Sequence, residues 1–221
     1  MKTTAIIVAA GTGSRFGSET PKQFLTLAGK PIVVHTIERF AAAPSVDAIV
    51  AVVPTHYVTE LGGLDVSKPI RVVSGGRTRA ESVANGLNSV ENGMEIVAVH
   101  DGARPFVSIE EIEKTIAKAR ETGAACLVGE VTDTIKTIRG DQITGTLDRT
   151  KLRRALTPQI FKVEVLRRAF EAADLDDTVT DECFLVENLG HPIAFVEGSS
   201  RNIKITHPED IALAEAIAKT F

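Results

Sequence analysis

The chain has 221 residues, 43% of them hydrophobic, so it can bury a substantial core, and its length suits one domain spanning 1–221. A formal net charge of −4 and a pI near 5.8 exclude a general nucleic-acid binder, so any polyanion site has to be local. Apolar runs such as Ala48 to Pro54 are too short to span a bilayer, and the first residues enter a strand without a signal-peptide pattern, which predicts a cytoplasmic protein with no membrane partner.

Taken in chain order, short β-branched runs alternate with helix-length amphipathic segments, the pattern of an α/β fold with a mostly parallel twisted sheet flanked by helices. Strands are predicted at Thr4 to Ala9, Ala48 to Val53, Ile70 to Val73, Ile96 to His100, Ala124 to Val131 and Ile193 to Val196. Pro31 opens a helix that buries Val33, Val34, Ile37 and Phe40, and a second helix runs from Arg79 to Val90. Ser108 and Glu111 form a capping box for a third, and Pro208 opens the last, capped by His207 or Thr206. Between Asp133 and Arg149 the rhythm breaks: Thr134 to Ile138 and Ile143 to Leu147 flank Arg139-Gly140-Asp141-Gln142, a β-hairpin inserted within 131–153. A lone hairpin is barely stable in water, so it packs either on its own domain or on a second subunit. Cys126 and Cys183, the only cysteines, are too few for a disulfide framework and read as buried free thiols.

The first strand empties into Ala10-Gly11-Thr12-Gly13-Ser14-Arg15, and Lys22 follows in Pro21-Lys22-Gln23. Glycines let backbone N–H groups approach a phosphate, and Arg15 and Lys22 supply charge that a reacting polyphosphate needs. The spacing Gly11-x-Gly13-x-x-x-Gly17, with a second strand ending Val52-Val53-Pro54-Thr55, lacks the ribose-binding acid of a dinucleotide fold. The sole Gly-Lys pair, Gly29-Lys30, is followed by Pro31, so it is no Walker loop. A nucleotidyl-transfer loop remains, beside a plain βα turn with solvated cations.

Asp101, in His100-Asp101-Gly102-Ala103-Arg104-Pro105, ends the fourth strand and so meets the same crevice. It is a candidate Mg²⁺ ligand, since one carboxylate suffices when phosphate oxygens and water complete the shell; equally, it caps a turn with Arg104 as its ion-pair partner. Gly75-Gly76 leads from a strand into a helix, where an anion or a base can lie against the backbone and the Ser82 hydroxyl could read a base edge. His35 reads as structural, and no Gly-x-Ser-x-Gly elbow or Cys-His pattern suggests covalent catalysis.

In this order, nearly end to end, these motifs resemble the 2-C-methyl-D-erythritol 4-phosphate cytidylyltransferases. The likeness extends through Asp133-Thr134, Leu156-Thr157-Pro158-Gln159, Thr180-Asp181-Glu182 and Asn202-Ile203-Lys204-Ile205-Thr206; Phe16, where the family often has Met, and Gly102, where Ala is common, depart mildly. The resemblance implies a Rossmann-like nucleotidyltransferase fold, CTP as co-substrate, Mg²⁺ or another divalent cation as cofactor, and a homodimer whose hairpin arm reaches the partner's site. It implies that Arg15 and Lys22 act on the donor phosphates, that Arg149 and Lys204 hold the acceptor phosphate, and that Ala10, Gly11, Gly13, Gly76 and Ser82 bind CTP. Arg104, Thr134, Thr157 and Thr180 would complete the polyol-phosphate site. The rival readings are a ribitol-5-phosphate cytidylyltransferase and a nucleotide-binding regulator without turnover.

Overall fold

The structure, a computed structural model, describes residues 1–11, 16, 20–175 and 179–221. The first half of the chain forms β1 (Thr3–Val8), β2 (Thr26–Leu27), β3 (Lys30–Pro31), α1 (Ile32–Ala42), β4 (Ala48–Val53), α2 (Val58–Gly62), β5 (Ile70–Ser74), α3 (Arg79–Asn88) and β6 (Ile96–Asp101). Then come α4 (Ile109–Thr122), β7 (Ala124–Glu130), β8 (Lys136–Arg139), β9 (Gln142–Thr146), β10 (Arg153–Lys162), α5 (Val163–Glu171), α6 (Glu182–Asn188), β11 (Ala194–Glu197) and α7 (Asp210–Ala218).

Alternation along β1 sets the layers. Ala5 and Ile7 enter one core with Val33, Ile37 and Phe40 of α1 and Ile112 and Ile116 of α4. Ile6 and Val8 enter the other, closed by Val83 and Leu87 of α3, Leu166 of α5 and Leu185 and Val186 of α6. The seven-stranded sheet runs β11-β7-β10-β6-β1-β4-β5. β6, β1, β4 and β5 are parallel, and the order switches sides at β1, where β4 and β6 flank it; such a switch opens a crevice beyond the carboxyl ends. The predicted helix starts hold where local chemistry decides them: Ser108 and Glu111 exchange both capping-box bonds, and Thr78 Oγ1 accepts the Glu81 N–H to start α3. His35 is indeed tied locally, its Nε2 lying 2.7 Å from the Leu27 carbonyl, and both cysteines are buried and free.

Three readings need correction. β10 lies antiparallel between β6 and β7, where no strand was predicted. Pro158 cannot donate to a ladder, and the pairing register shifts between Ala155 and Gln159 to pass it; burial from Leu156 to Phe161 supplies the strand signal that local sequence hides. The last helix starts at Asp210 rather than Pro208, and its capping runs in reverse: the Asp210 carboxylate accepts the N–H groups of Thr206 at 2.7 Å and His207 at 2.8 Å. The second helix ends at Asn88, short of Val90.

The hairpin forms as β8 and β9, joined through Gly140, whose φ of 60° suits the first position of a two-residue turn. It makes a separate two-stranded sheet, and Ile138 and Ile143 stand 70% and 67% exposed. Among the described residues, no helix is long and apolar enough to cross a membrane.

Candidate active site

A cleft of about 310 Å³ lies over the carboxyl ends of β1, β5 and β6. Its walls come from three strand exits. Ala10 and Gly11 leave β1, Gly76 to Arg79 lead from β5 into α3, and Asp101 and Ala103 close β6. Lys22 and Gln23 reach in from a 3₁₀ turn over Lys22–Phe24, and Lys204 and Thr206 from the segment before α7.

The exits of β1 and β5 touch. A Cβ on Gly75 would stand 2.1 Å from the Ala10 Cβ and 2.9 Å from the Ser82 Oγ, so only glycine lets these backbones approach. Ser82 Oγ accepts the Gly76 N–H at 3.0 Å and donates to the Thr78 carbonyl at 2.9 Å. Its proton is committed to the loop. Ser82 therefore braces the backbone beside the cleft and keeps one lone pair with which it can still accept from a ligand.

Charge is concentrated on the cleft floor around Asp101. Its Oδ1 lies 3.3 Å from Arg79 Nε, and its Oδ2 lies 3.3 Å from Arg104 Nε and 2.9 Å from Lys204 Nζ. Burial opposes ionisation, yet Arg79, Lys204 and Arg104 overcome it and hold the carboxyl far below the usual carboxylate range. Arg79 in turn grips the fully buried Glu182 through Nη1 at 2.6 Å and Nη2 at 3.1 Å. Desolvation works against its charge, but the Glu182 and Asp101 carboxylates raise its pKa above the ordinary arginine value. Thr157 Oγ1 accepts the Asp101 N–H at 3.1 Å, and its carbonyl accepts from Asn202 Nδ2 at 2.9 Å. Arg104 Nη1 donates to the Asn202 carbonyl at 2.9 Å. The turn after β6 and the segment leading to Lys204 are thus tied together.

Of the residues singled out in the sequence, Ala10, Gly11, Lys22, Gly76, Ser82, Asp101 and Lys204 line one cleft. Arg15 and Gly13 lie outside the described residues. Thr157 is buried behind Asp101, and Arg104 reaches the cleft only through Asp101, so both support the floor of the cleft. Thr180 is exposed just before α6, whose first turn is capped by Asp181. Thr134 and Arg149 do not line this cleft; they stand exposed at the root of the hairpin, where Arg149 donates to the Thr132 carbonyl. The sequence reading gave no role to Arg79, Gln159 or Glu182. A helix-opening Arg and a Thr-Asp-Glu run are common surface patterns, and only tertiary contact reveals their pairing.

A metal finds one carboxylate here. Among the described residues no three His, Cys, Asp or Glu side chains cluster for a metal ion, and both Asp101 oxygens already accept from cations. The donor set fits a divalent cation only when a polyanion enters with it and outweighs Arg79, Arg104 and Lys204.

Residues 3–220 match the family model described as 2-C-methyl-D-erythritol 4-phosphate cytidylyltransferase. The chain belongs to that family. It is 43% identical over 221 residues to the enzyme of that name from Endomicrobium trichonymphae, covering 100% of both chains. The crystal structure of 4-diphosphocytidyl-2C-methyl-D-erythritol synthase from Anaerococcus prevotii superposes with a TM-score of 0.86 at 30% identity, covering 99% of this chain and 96% of that one. The Francisella tularensis 2-C-methyl-D-erythritol 4-phosphate cytidylyltransferase does so with a TM-score of 0.83 at 32% identity, covering 98% and 99%. The α/β fold and the nucleotidyltransferase family read from the motifs are therefore established.

Proposed function

We propose that this family member transfers the cytidylyl group of CTP to the 4-phosphate of 2-C-methyl-D-erythritol 4-phosphate, giving 4-diphosphocytidyl-2-C-methyl-D-erythritol and pyrophosphate. The observation that carries the reading is a cleft whose charged lining, among the described residues, is Lys22, Arg77, Arg79 and Lys204 against Asp101, and Asp101 is held ionised by its cations. Such a site attracts two polyanions, and among its described residues no group is placed as a general base. None is needed: a phosphate monoester, with a second pKa near ~6, is already mostly dianionic at neutral pH. One of its oxygens bonds to the α-phosphorus of CTP, and the bond to the bridging oxygen breaks, so that pyrophosphate leaves with the electron pair.

The main obstacle is repulsion. Two unit charges about 4 Å apart repel by about 4 kcal/mol at an effective dielectric near ~20. Lys22 and Arg15 neutralise the donor phosphates where negative charge builds, and Lys204 holds the acceptor phosphate. Ala10, Gly11, Gly13 and Gly76 bind the nucleotide. A divalent cation, held on the protein side by Asp101, adds charge neutralisation on the triphosphate when bound.

The site is completed in a homodimer through the arm of residues 131–153. The exposed isoleucines of the hairpin and the distance of Thr134 and Arg149 from their own cleft support this reading, in which both residues meet the partner's acceptor. Thr180 borders the same acceptor pocket. Two free thiols suit a reducing compartment, consistent with a cytoplasmic enzyme.

The deciding measurement is pyrophosphate release from CTP and Mg²⁺ with either methylerythritol phosphate or ribitol 5-phosphate. Turnover with the first is expected. Turnover confined to ribitol phosphate, or tight CTP binding with no release under either acceptor, would overturn the proposal.

A further inference from the structure

We infer that Glu182 is a positioning residue for the transfer, acting through Arg79 to keep the Asp101 carboxylate paired while Lys204 moves to the acceptor phosphate. This rests on the reading of Lys204 given above. The side chain of Glu182 is 0% exposed, and both oxygens are spent on the two terminal nitrogens of Arg79. Its backbone is equally fixed: Gln159 Oε1 accepts the N–H of Glu182 at 3.1 Å and of Cys183 at 3.0 Å, while Gln159 Nε2 donates to Asp181 at 2.8 Å. Arg79 is therefore clamped from behind. Its Nε, pointing forward, meets Asp101 Oδ1.

Lys204 is held differently. Its side chain is 36% exposed, and its ammonium shares Asp101 Oδ2 with Arg104. A flexible point charge on an accessible stem can leave for an incoming phosphate, whereas a guanidinium forked onto a buried carboxylate cannot. Departure of Lys204 would strand a buried carboxylate unless other cations stay behind. Arg104 stays because the Asn202 carbonyl holds it, and Arg79 stays because Glu182 holds it. Without Glu182, Arg79 is free to follow the phosphates itself, and Lys204 remains bound to Asp101.

The test compares the intact enzyme with Glu182→Gln, Arg79→Lys, Arg79→Met and the double variant Arg79→Met/Glu182→Gln, each checked for cooperative thermal unfolding. Glu182→Gln is expected to lower kcat and raise the acceptor KM, together about tenfold or more in kcat/KM, while the KM for CTP stays within about twofold. In the Arg79→Met background the same substitution should cost less than about twofold, because the residue it works through is gone. Arg79→Lys keeps the charge and loses the fork, so it should reproduce the Glu182→Gln defect. Full activity in Glu182→Gln, or equal losses in both backgrounds, would overturn the assignment. Should Glu182→Gln not fold, Arg79→Lys decides: wild-type kinetics there would overturn it, and the split between acceptor and CTP constants would sustain it. An intact enzyme without cytidylyl transfer would instead refute the proposed function.

Discussion

The cleft floor and the hairpin arm handle charge and apolar surface in opposite ways. Around Asp101, ionised groups are buried or half-buried and each is answered by a partner: Arg79 by Glu182 and Asp101, Arg104 by Asp101 and the Asn202 carbonyl. On the arm, Ile138, Ile143 and Leu147 are exposed, and among the described residues β8 pairs with β9 alone. Burying a charge is costly unless geometry compensates it, so the floor is rigid and self-sufficient. Isoleucines exposed on a hairpin leave apolar surface that self-association can cover, as the proposed homodimer would. Preorganised electrostatics therefore belong to the single chain, and in the proposed homodimer the arm is what a second subunit would complete.

The sharpest way to break this contrast is to remove a cleft cation. Lys22→Ala is expected to lower kcat by about 10² to 10³, or about 3 to 4 kcal/mol of transition-state stabilisation, with little change in melting temperature. Steady-state kinetics beside thermal unfolding checks it, and near-normal turnover would remove Lys22 from the chemistry.

Acid tests the floor from beneath. His100 is fully buried, with its Nε2 3.1 Å from the Arg104 carbonyl, its ring beside Phe40 and the charges of Asp101, Arg104 and Lys204 around it. Burial, chiefly, lowers its pKa from 6.5 to about 4. Between those values the unfolded chain binds a proton that the folded chain does not, so this contribution is complete above pH ~6.5 and lost as pH falls toward ~4. The expected loss is about 3 kcal/mol. Urea unfolding across that window should show the decline, and His100→Gln should flatten it relative to the parent; identical slopes would contradict the assignment.

Substitutions on the arm should act on assembly and acceptor binding. Arg149→Ala is expected to raise the acceptor KM about tenfold, as loss of a charged hydrogen bond would, with CTP constants nearly unchanged. Mixed dimers of Lys22→Ala and Arg149→Ala subunits should regain activity, because one composite site is intact; confirmed heterodimers without recovery would count against arm exchange. Smallest of all, Ile138→Ser with Ile143→Ser should shift the unfolding free energy of the isolated subunit by no more than about 0.5 kcal/mol while weakening dimerisation. Unchanged association by analytical ultracentrifugation would move the interface elsewhere.

Much of the fold was legible in the chain alone. β1, β4, β5, β6, β7 and β11 followed from β-branched runs within a residue or two, and the hairpin from Thr-rich runs around Arg139-Gly140-Asp141-Gln142, because these signals are local; the two-residue strands β2 and β3 were not predicted. Ser108 and Glu111, three residues apart, satisfy each other without help from the rest of the protein. The glycine exits, Lys22 and Asp101 were legible as chemistry, and the family resemblance added Lys204 and joined them before any contact was known. What only the tertiary structure decided is longer in range. β10 exists because β6 and β7 pair with it on both sides, overriding a proline and two arginines. Glu182 gains its role from Arg79, 103 residues away, and Thr157 from the Asp101 backbone, 56 residues away. Propensity, capping and turn chemistry act over a few residues and are written in the sequence; compensation of buried charge depends on which distant groups the fold brings within about 3 Å, which no local pattern records.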